Sequence, residues 1–292
     1  VKTCLRHLAG VLLICVCGSG SAQAEKILNK RIEAERAALD NPYIITQHRS
    51  NYFLAYSYMD DPNQAPYEFV NGNLIEQQEA KYQISIKAPI YHYHKHDLQG
   101  VYVGVTLQAW WQIYNESISK PFRETNYEPE LFYQWVPTYD LGAIDLVGFH
   151  LGINHQSNGQ SNIDSRSWNR IFASAMFRHE QFFATLKTWY RIPEEEKDDP
   201  LDPSGDDNPD IEDFLGKFEL ELGATYEGIN VNAFIRNNLK SDNKGAFELN
   251  LTYPISSRFA LLLHYFTGYG ESLIDYDHHI ERIGIGVQLS AF

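Results

Sequence analysis

From Asn51 onward the sequence alternates apolar and polar residues with a period of two, and the polar partners are heavily charged. In 82–88, Tyr82, Ile84, Ile86 and Ala88 alternate with Gln83, Ser85 and Lys87. In 217–226, Phe218, Leu220, Leu222, Ala224 and Tyr226 alternate with Lys217, Glu219, Glu221 and Thr225. Residues i and i+2 of a strand share a face, so each run writes one greasy face and one charged face. Such a pattern is the repeat of half-buried strands and points to an all-β fold.

About twelve runs of this kind occur, near 51–59, 80–89, 101–114, 127–136, 144–158, 167–178, 181–192, 214–226, 229–239, 245–253, 258–268 and 278–291. Several exceed the usual soluble strand of roughly five or six residues. The connections alternate too: 60–79 and 193–213 are long, whereas 179–180 and 227–228 are tight. Long strands, charged inner faces and alternating loop lengths predict an all-β fold, an antiparallel transmembrane β-barrel of about twelve strands. A soluble sandwich would have a loosely polar outer face in place of Lys, Glu and Arg in register.

The start of the chain agrees with that destination. Lys2 and Arg6 precede an apolar run from Leu8 to Cys17, followed by Ala22-Gln23-Ala24. This is the pattern of a secretory signal peptide, 1–24, with an arm at 25–50 and the barrel at 51–292. All three cysteines lie in the signal, so the mature chain is expected to carry no disulfide and no thiol chemistry. With 38 Asp+Glu against 24 Lys+Arg, the net charge of -14 argues against a nucleic-acid partner. The 193–213 loop holds eleven acids and one lysine, which supplies ten of those fourteen charges. It reads as a solvated external loop; its carboxylates also suit calcium, without the spacing of a known calcium loop.

Polar residues break the greasy parity at one place. Val147, Phe149, Leu151 and Ile153 share a face with His155 and Ser157, and Ile171, Ala173 and Ala175 of the next strand share theirs with Asn169. His155 and Ser157 are roughly 7 Å apart along the strand. A hairpin through 159–166 brings Asn169 beside them. A serine nucleophile needs a base, and the base needs an orienting group. His155 fits as base, Asn169 as the amide that fixes its tautomer, and Gly159 as a backbone N–H donor to an oxyanion. The same residues also fit a strand end that has reached the polar headgroup level, and the residues alone leave both readings open.

The segment "NHQSNGQSNIDSRSWNR" closely resembles the active-site region of the outer membrane phospholipase A family. "KPFRETNYEPELF" (120–132), "DDNPDI" (206–211) and "GYGESLIDY" (268–276) are similar to that family as well. The resemblance implies a twelve-stranded barrel that hydrolyses acyl esters of membrane glycerophospholipids, requires calcium and is activated as a homodimer. It assigns His155 as base, Ser157 as nucleophile, Asn169 as orienting amide and Gly159 to the oxyanion hole. It assigns calcium to the Ser165 hydroxyl and the Gln160 carbonyl, with the Ser119 carbonyl supplied by a partner subunit, and a second position to Asp207. Two positions depart from the family pattern: Gln160 stands in place of an arginine, and Leu107 in place of a glutamine at the dimer interface. The rival readings are a passive outer-membrane porin, whose interior Lys87, Glu219, Glu221 and Arg236 would fill, and an outer-membrane lipid A deacylase.

Overall fold

The computed structural model describes residues 45–67, 75–92, 98–137, 139–199, 201–202 and 204–289, with 32–33 and 35–36. The proposed signal segment and most of the 25–50 arm lie outside the described residues. Twelve long strands follow one another: β1 (Tyr52–Asp60), β2 (Gln78–His92), β3 (Gly100–Trp111), β4 (Phe122–Trp135), β5 (Asp145–Ser157) and β6 (Ser167–His179). The second half comprises β7 (Phe182–Ile192), β8 (Phe218–Tyr226), β9 (Ile229–Asn237), β10 (Gly245–Pro254), β11 (Phe259–Tyr269) and β12 (His279–Leu289). Two-residue pieces, Thr46–Gln47 and Tyr139–Asp140, pair onto β2 and β5. Each long strand pairs antiparallel with the next, and β12 returns to β1 from Glu281–Asp60 to Gln288–Tyr52. The barrel is closed, so every strand edge is paired, as a structure in lipid requires.

The outward parity is aliphatic at mid-height, where Ile84, Val105, Leu151, Ile171, Leu222 and Ile285 are exposed. Exposed aromatic residues crowd the two ends. Tyr91, Tyr133, Phe182, Tyr226, Tyr253 and Phe259 ring the end with short turns, and Tyr114, Phe122, Tyr127 and Tyr190 mark the end with long loops. Aromatic girdles around an apolar band are the signature of a membrane-spanning barrel. Among the described residues no helix is long and apolar enough to cross a membrane.

The inward parity is charged and paired. Arg282, fully buried, donates to Glu271 at 2.7 Å, to Glu79 at 2.7 Å and to the Ser57 hydroxyl at 2.8 Å. Arg123 pairs with Glu79 at 3.1 Å and Asp275 at 2.6 Å, and Lys81 pairs with Glu271 at 2.9 Å. A second group joins Arg49 and Arg170 to Glu128, and Lys187 and Arg49 to Glu130. Here the segment before β1 reaches into the interior: His48 donates from Nε2 to Glu130 at 2.7 Å and stacks on Phe132. A buried charge without a partner is very costly, so these pairs hold the strands at one mutual height.

Two boundaries differ from the sequence reading by four residues or more. β4 starts at Phe122 and not near 127, because Thr125 and a register shift beside Trp110 and Trp111 interrupt the outward apolar run before Tyr127. Residues 214–215, expected in β8, belong to a helical turn, α1 (Ile211–Leu215). Its Ile211 and Leu215 pack into the largest buried cluster, with Trp168, Phe172, Trp189 and Leu273, so the apolar spacing there serves one face of a helix. Gly216 ends it at φ +70°, where any Cβ would lie 2.1 Å from the Asn237 carbonyl oxygen.

Replacing Arg282 by Met would leave Glu79 and Glu271 each short of a buried cation. The expected loss is about 3 kcal/mol, read as a lower urea midpoint for unfolding of the purified barrel in detergent. An unchanged midpoint would show that the interior tolerates those carboxylates without the guanidinium.

Candidate active site

β5 and β6 form the hairpin that carries the polar intruders. Their register sets His155 opposite Asn169 and Ser157 opposite Ser167. Toward mid-height the same outward face continues as Ile153 and Leu151 on β5 and Ile171 on β6, all about half exposed. His155 therefore faces away from the barrel axis, and the neighbouring inward residues Asn154 and Gln156 bond to Glu128 and Trp168 instead. The ring nitrogen Nδ1 of His155 lies 2.9 Å from Asn169 Oδ1. With Nδ1–H donated to that amide oxygen, Nε2 is the nitrogen left with a free lone pair. Ser157 lies one step up the same face, next to Tyr127 of β4. No hydrogen bond joins its hydroxyl to the imidazole here; such contacts commonly tighten only with substrate in place.

Behind this face the interior is rigid. Trp168 is fully buried, donates its indole N–H to Gln156 at 2.9 Å, and carries the Arg170 guanidinium 3.9 Å above its ring. Trp189 meets Trp168 edge to face. The flanking outward residues are Tyr127, Tyr190 and Ile192, so the trio sits at the level of the aromatic girdle on the long-loop side.

The turn after Ser157 is pinned by Asn158. Its side-chain oxygen accepts the Gln160 N–H at 3.2 Å and the Arg166 N–H at 3.0 Å, and its amide donates to the Asp164 carbonyl at 2.8 Å. Gly159 sits at φ +67°, with Tyr127 so near that a Cβ would come within 3.3 Å of the ring. The left-handed backbone favours glycine here, and a Cβ would press on the Tyr127 ring. Gln160 is exposed on this turn. Ser119 lies apart, on the β3–β4 turn at φ +61°, and no hydrogen bond links it to the other site residues.

The long acidic loop folds over the hairpin. The Ser165 and Ser167 hydroxyls donate to Asp207 Oδ2 at 2.8 and 3.1 Å, and Lys197 Nζ reaches Asp207 Oδ1 at 2.6 Å. Burial alone would raise the Asp207 carboxyl, but the hydrogen bonds from Lys197, Ser165 and Ser167 outweigh it and hold it below the ordinary aspartate range. Arg191 clamps the same loop through Asp206 at 2.6 Å and the Pro209 carbonyl at 3.0 Å, and the buried Asn208 accepts the Ser167 N–H. Glu194 accepts a hydrogen bond from Asn169 Nδ2 at 3.0 Å. Asn158, Lys197 and Glu194 escaped the sequence reading. Asn158 carries a weak signal, an Asx-turn residue before glycine. Glu194 and Lys197 carry none, because nothing marks them out within a charged loop.

The comparisons with known proteins bear on this arrangement. The sequence profile of the phospholipase A1 family matches residues 28–289. The chain belongs to the phospholipase A1 family. It is 35% identical to phospholipase A1 of Proteus vulgaris over 86% of this chain and 83% of that protein, and 34% identical to that of Escherichia coli K12 over the same shares. Outer membrane phospholipase A from Escherichia coli superposes with a TM-score of 0.76 at 32% identity, covering 85% of this chain and 98% of that one. The Salmonella typhi outer membrane phospholipase, solved as a dimer with bound calcium, gives 0.79 at 31% identity over 94% and 100%. An Escherichia coli active-site variant with an asparagine changed to alanine gives 0.78 at 32% identity over 88% and 98%. The chain is an outer-membrane β-barrel of a phospholipase family.

The donors here suit a hard cation in kind. Among the described residues no three His, Cys, Asp or Glu side chains converge on a metal position, so hydroxyls and main-chain carbonyls would have to serve. Ser165 and Gln160 provide these, while Asp207 already has an ammonium ion in contact. Lys197→Met removes that ammonium and should loosen the loop. Amide exchange across 193–208 is expected to quicken several-fold while the barrel strands stay protected; unchanged exchange would mean the hydroxyl contacts suffice.

Proposed function

We propose that this chain hydrolyses acyl esters of glycerophospholipids from its lipid-facing surface, with Ser157 as nucleophile, His155 as general base, Asn169 as orienting amide and Gly159 in the oxyanion hole. The observation that carries the reading is the 2.9 Å contact between His155 Nδ1 and Asn169 Oδ1 on the outward face, with a serine two residues along. Polar groups aimed at lipid are costly, and the cost makes sense where the lipid is the substrate. Family membership supports the same chemistry.

His155 Nε2 takes the Ser157 proton as the oxygen attacks the ester carbonyl. The Gly159 N–H donates to the oxyanion as it forms. Collapse expels the lysophospholipid alkoxide, which receives the proton from His155, and leaves the acyl group on Ser157. Water attacks that ester with His155 again as base; the acyl–oxygen bond breaks, Ser157 takes the proton back from His155, and the fatty acid departs. Throughout, Asn169 Oδ1 accepts the Nδ1–H and keeps the ring in one tautomer.

Calcium fits the oxygen donors of this rim: the Ser165 hydroxyl and Gln160 carbonyl would hold it with Ser119 of a second copy, and when bound it supplies positive charge near the developing oxyanion. A shared ion would make activity depend on a homodimer, the state in which the Salmonella typhi relative was solved. The Gln160 carbonyl is unaffected by the loss of an arginine side chain, whereas Leu107 gives the outward face of β3 an apolar contact in place of an amide. The paired charges of Glu79, Arg123, Arg282, Glu271, Glu128 and Arg170 fill the interior toward the long-loop end, which disfavours a passive pore.

Ser157→Ala should lower phospholipid hydrolysis in mixed micelles at least about a thousandfold, with the barrel still folded by its heat-dependent mobility on a gel. Retained turnover would remove Ser157 from the mechanism. In the wild-type protein, a chelator should abolish activity and added calcium restore it. Chelator-resistant hydrolysis would contradict the proposed ligands, and release of fatty acid from lipid A in preference to phospholipid would favour the deacylase reading.

A further inference from the structure

We infer that Glu194 is a positioning residue that orients Asn169 and lends its negative charge, through the amide, to the imidazolium of His155. The inference rests on His155 and Ser157 being base and nucleophile. It starts from the register: Ile192 at the end of β7 stands opposite Asn169, and both face outward. Two residues on, with Pro193 between, the chain keeps the same face, so the side chain of residue 194 reaches the height of Asn169. Glu194 is half-buried there, while Glu195 and Glu196 beside it are exposed.

The contact has a direction. A carboxylate only accepts, so Glu194 Oε1, 3.0 Å from Asn169 Nδ2, demands the NH2 edge of the amide. That leaves the Oδ1 edge for His155 Nδ1 at 2.9 Å. Without Glu194, nothing among these contacts distinguishes the two edges of the amide, and the flipped form would donate its N–H to Nδ1 and leave the ring proton on Nε2, the nitrogen needed as base. An amide has no charge of its own with which to stabilise an imidazolium. A carboxylate hydrogen-bonded behind it polarises the amide in the required sense.

The charge of Glu194 is also not spent elsewhere. The groove beside it holds Arg191, Asp206, Glu212 and Lys217. Arg191 is committed to Asp206, and Lys217 to Glu212 at 3.3 Å. Across the hairpin, Lys197 is committed to Asp207, and the Arg166 guanidinium donates to the Ile163 and Ser165 carbonyls. The residues that face His155 and Asn169 from β4 and β7 are Tyr127, Tyr190 and Ile192. Among the described residues, Glu194 is therefore the carboxylate hydrogen-bonded to the proposed triad.

The test compares Glu194→Ala and Glu194→Gln with wild type, Ser157→Ala and the exposed-neighbour control Glu196→Gln. Glu194→Ala should lower kcat about tenfold at nearly constant KM. Glu194→Gln keeps an acceptor for the Asn169 NH2, so it should recover most of kcat. In both variants the acid limb of kcat/KM should move down by about half a pH unit, because the imidazolium loses a negative neighbour; Glu196→Gln should change nothing. The same downward shift should appear in the titration of the His155 ring followed by NMR of histidine-labelled protein in micelles. Wild-type kcat and an unmoved acid limb in Glu194→Ala would overturn the proposal, as would equal losses in both variants with no shift. If Ser157→Ala stays active, the triad reading falls by itself, and the His155 titration still decides whether Glu194 acts on the imidazole.

Discussion

In a bilayer there is no water to satisfy a free strand edge, and the pairing of β12 with β1 is where this chain meets that demand. From Glu281–Asp60 to Gln288–Tyr52 the last strand returns to the first, and the sheet has no edge left. Closure forces each strand to present one face inward and one outward, so every residue's parity becomes a statement about its solvent. His155, Ser157 and Asn169 are informative only because of that constraint. On an open sheet in water the same three residues would be unremarkable surface groups.

The interior resolves a second demand. Closing a barrel of this size leaves a lumen that must be filled, and the fill here is ionic. Arg282, Arg123 and Lys81 interlock with Glu79, Glu271 and Asp275, so strands far apart in sequence are tied at one height. Arg170 does the same close to the site, between Glu128 and the face of Trp168. The outward residue next to it, Asn169, thereby inherits a backbone fixed from behind. A firm wall suits the proposed reaction, in which His155 as base and Asn169 as its orienting amide would sit on neighbouring strands and Ser157 as nucleophile one step away.

Much of this was legible in the sequence because strand parity is a strict code. The outward set from Val147 to Ser157 and the hairpin through 159–166 were enough to place His155 beside Asn169. The code failed where the period breaks. Thr125 and a register shift hid the first residues of β4, and Ile211 and Leu215 mimicked strand spacing while packing as a helical turn against Trp168 and Trp189. Glu194, Lys197 and Asp206 were illegible for a different reason. In a loop of eleven acids each carboxylate looks alike, and only the folded loop sets Glu194 against Asn169 and Asp206 against Arg191.

Tyr127 and Tyr190 flank the polar trio at the girdle, and their rings anchor the barrel vertically because each has an apolar body and a polar tip. The anchoring turns the barrel into a depth gauge. Whatever groups of a lipid lie at the height of His155 are presented to it, and whatever lie deeper or shallower are not. A bilayer that thickens or thins moves its own chemistry past a fixed mark on the protein. Selectivity among ester positions would then be a property of membrane geometry as much as of side chains, with no pocket needed to read a headgroup.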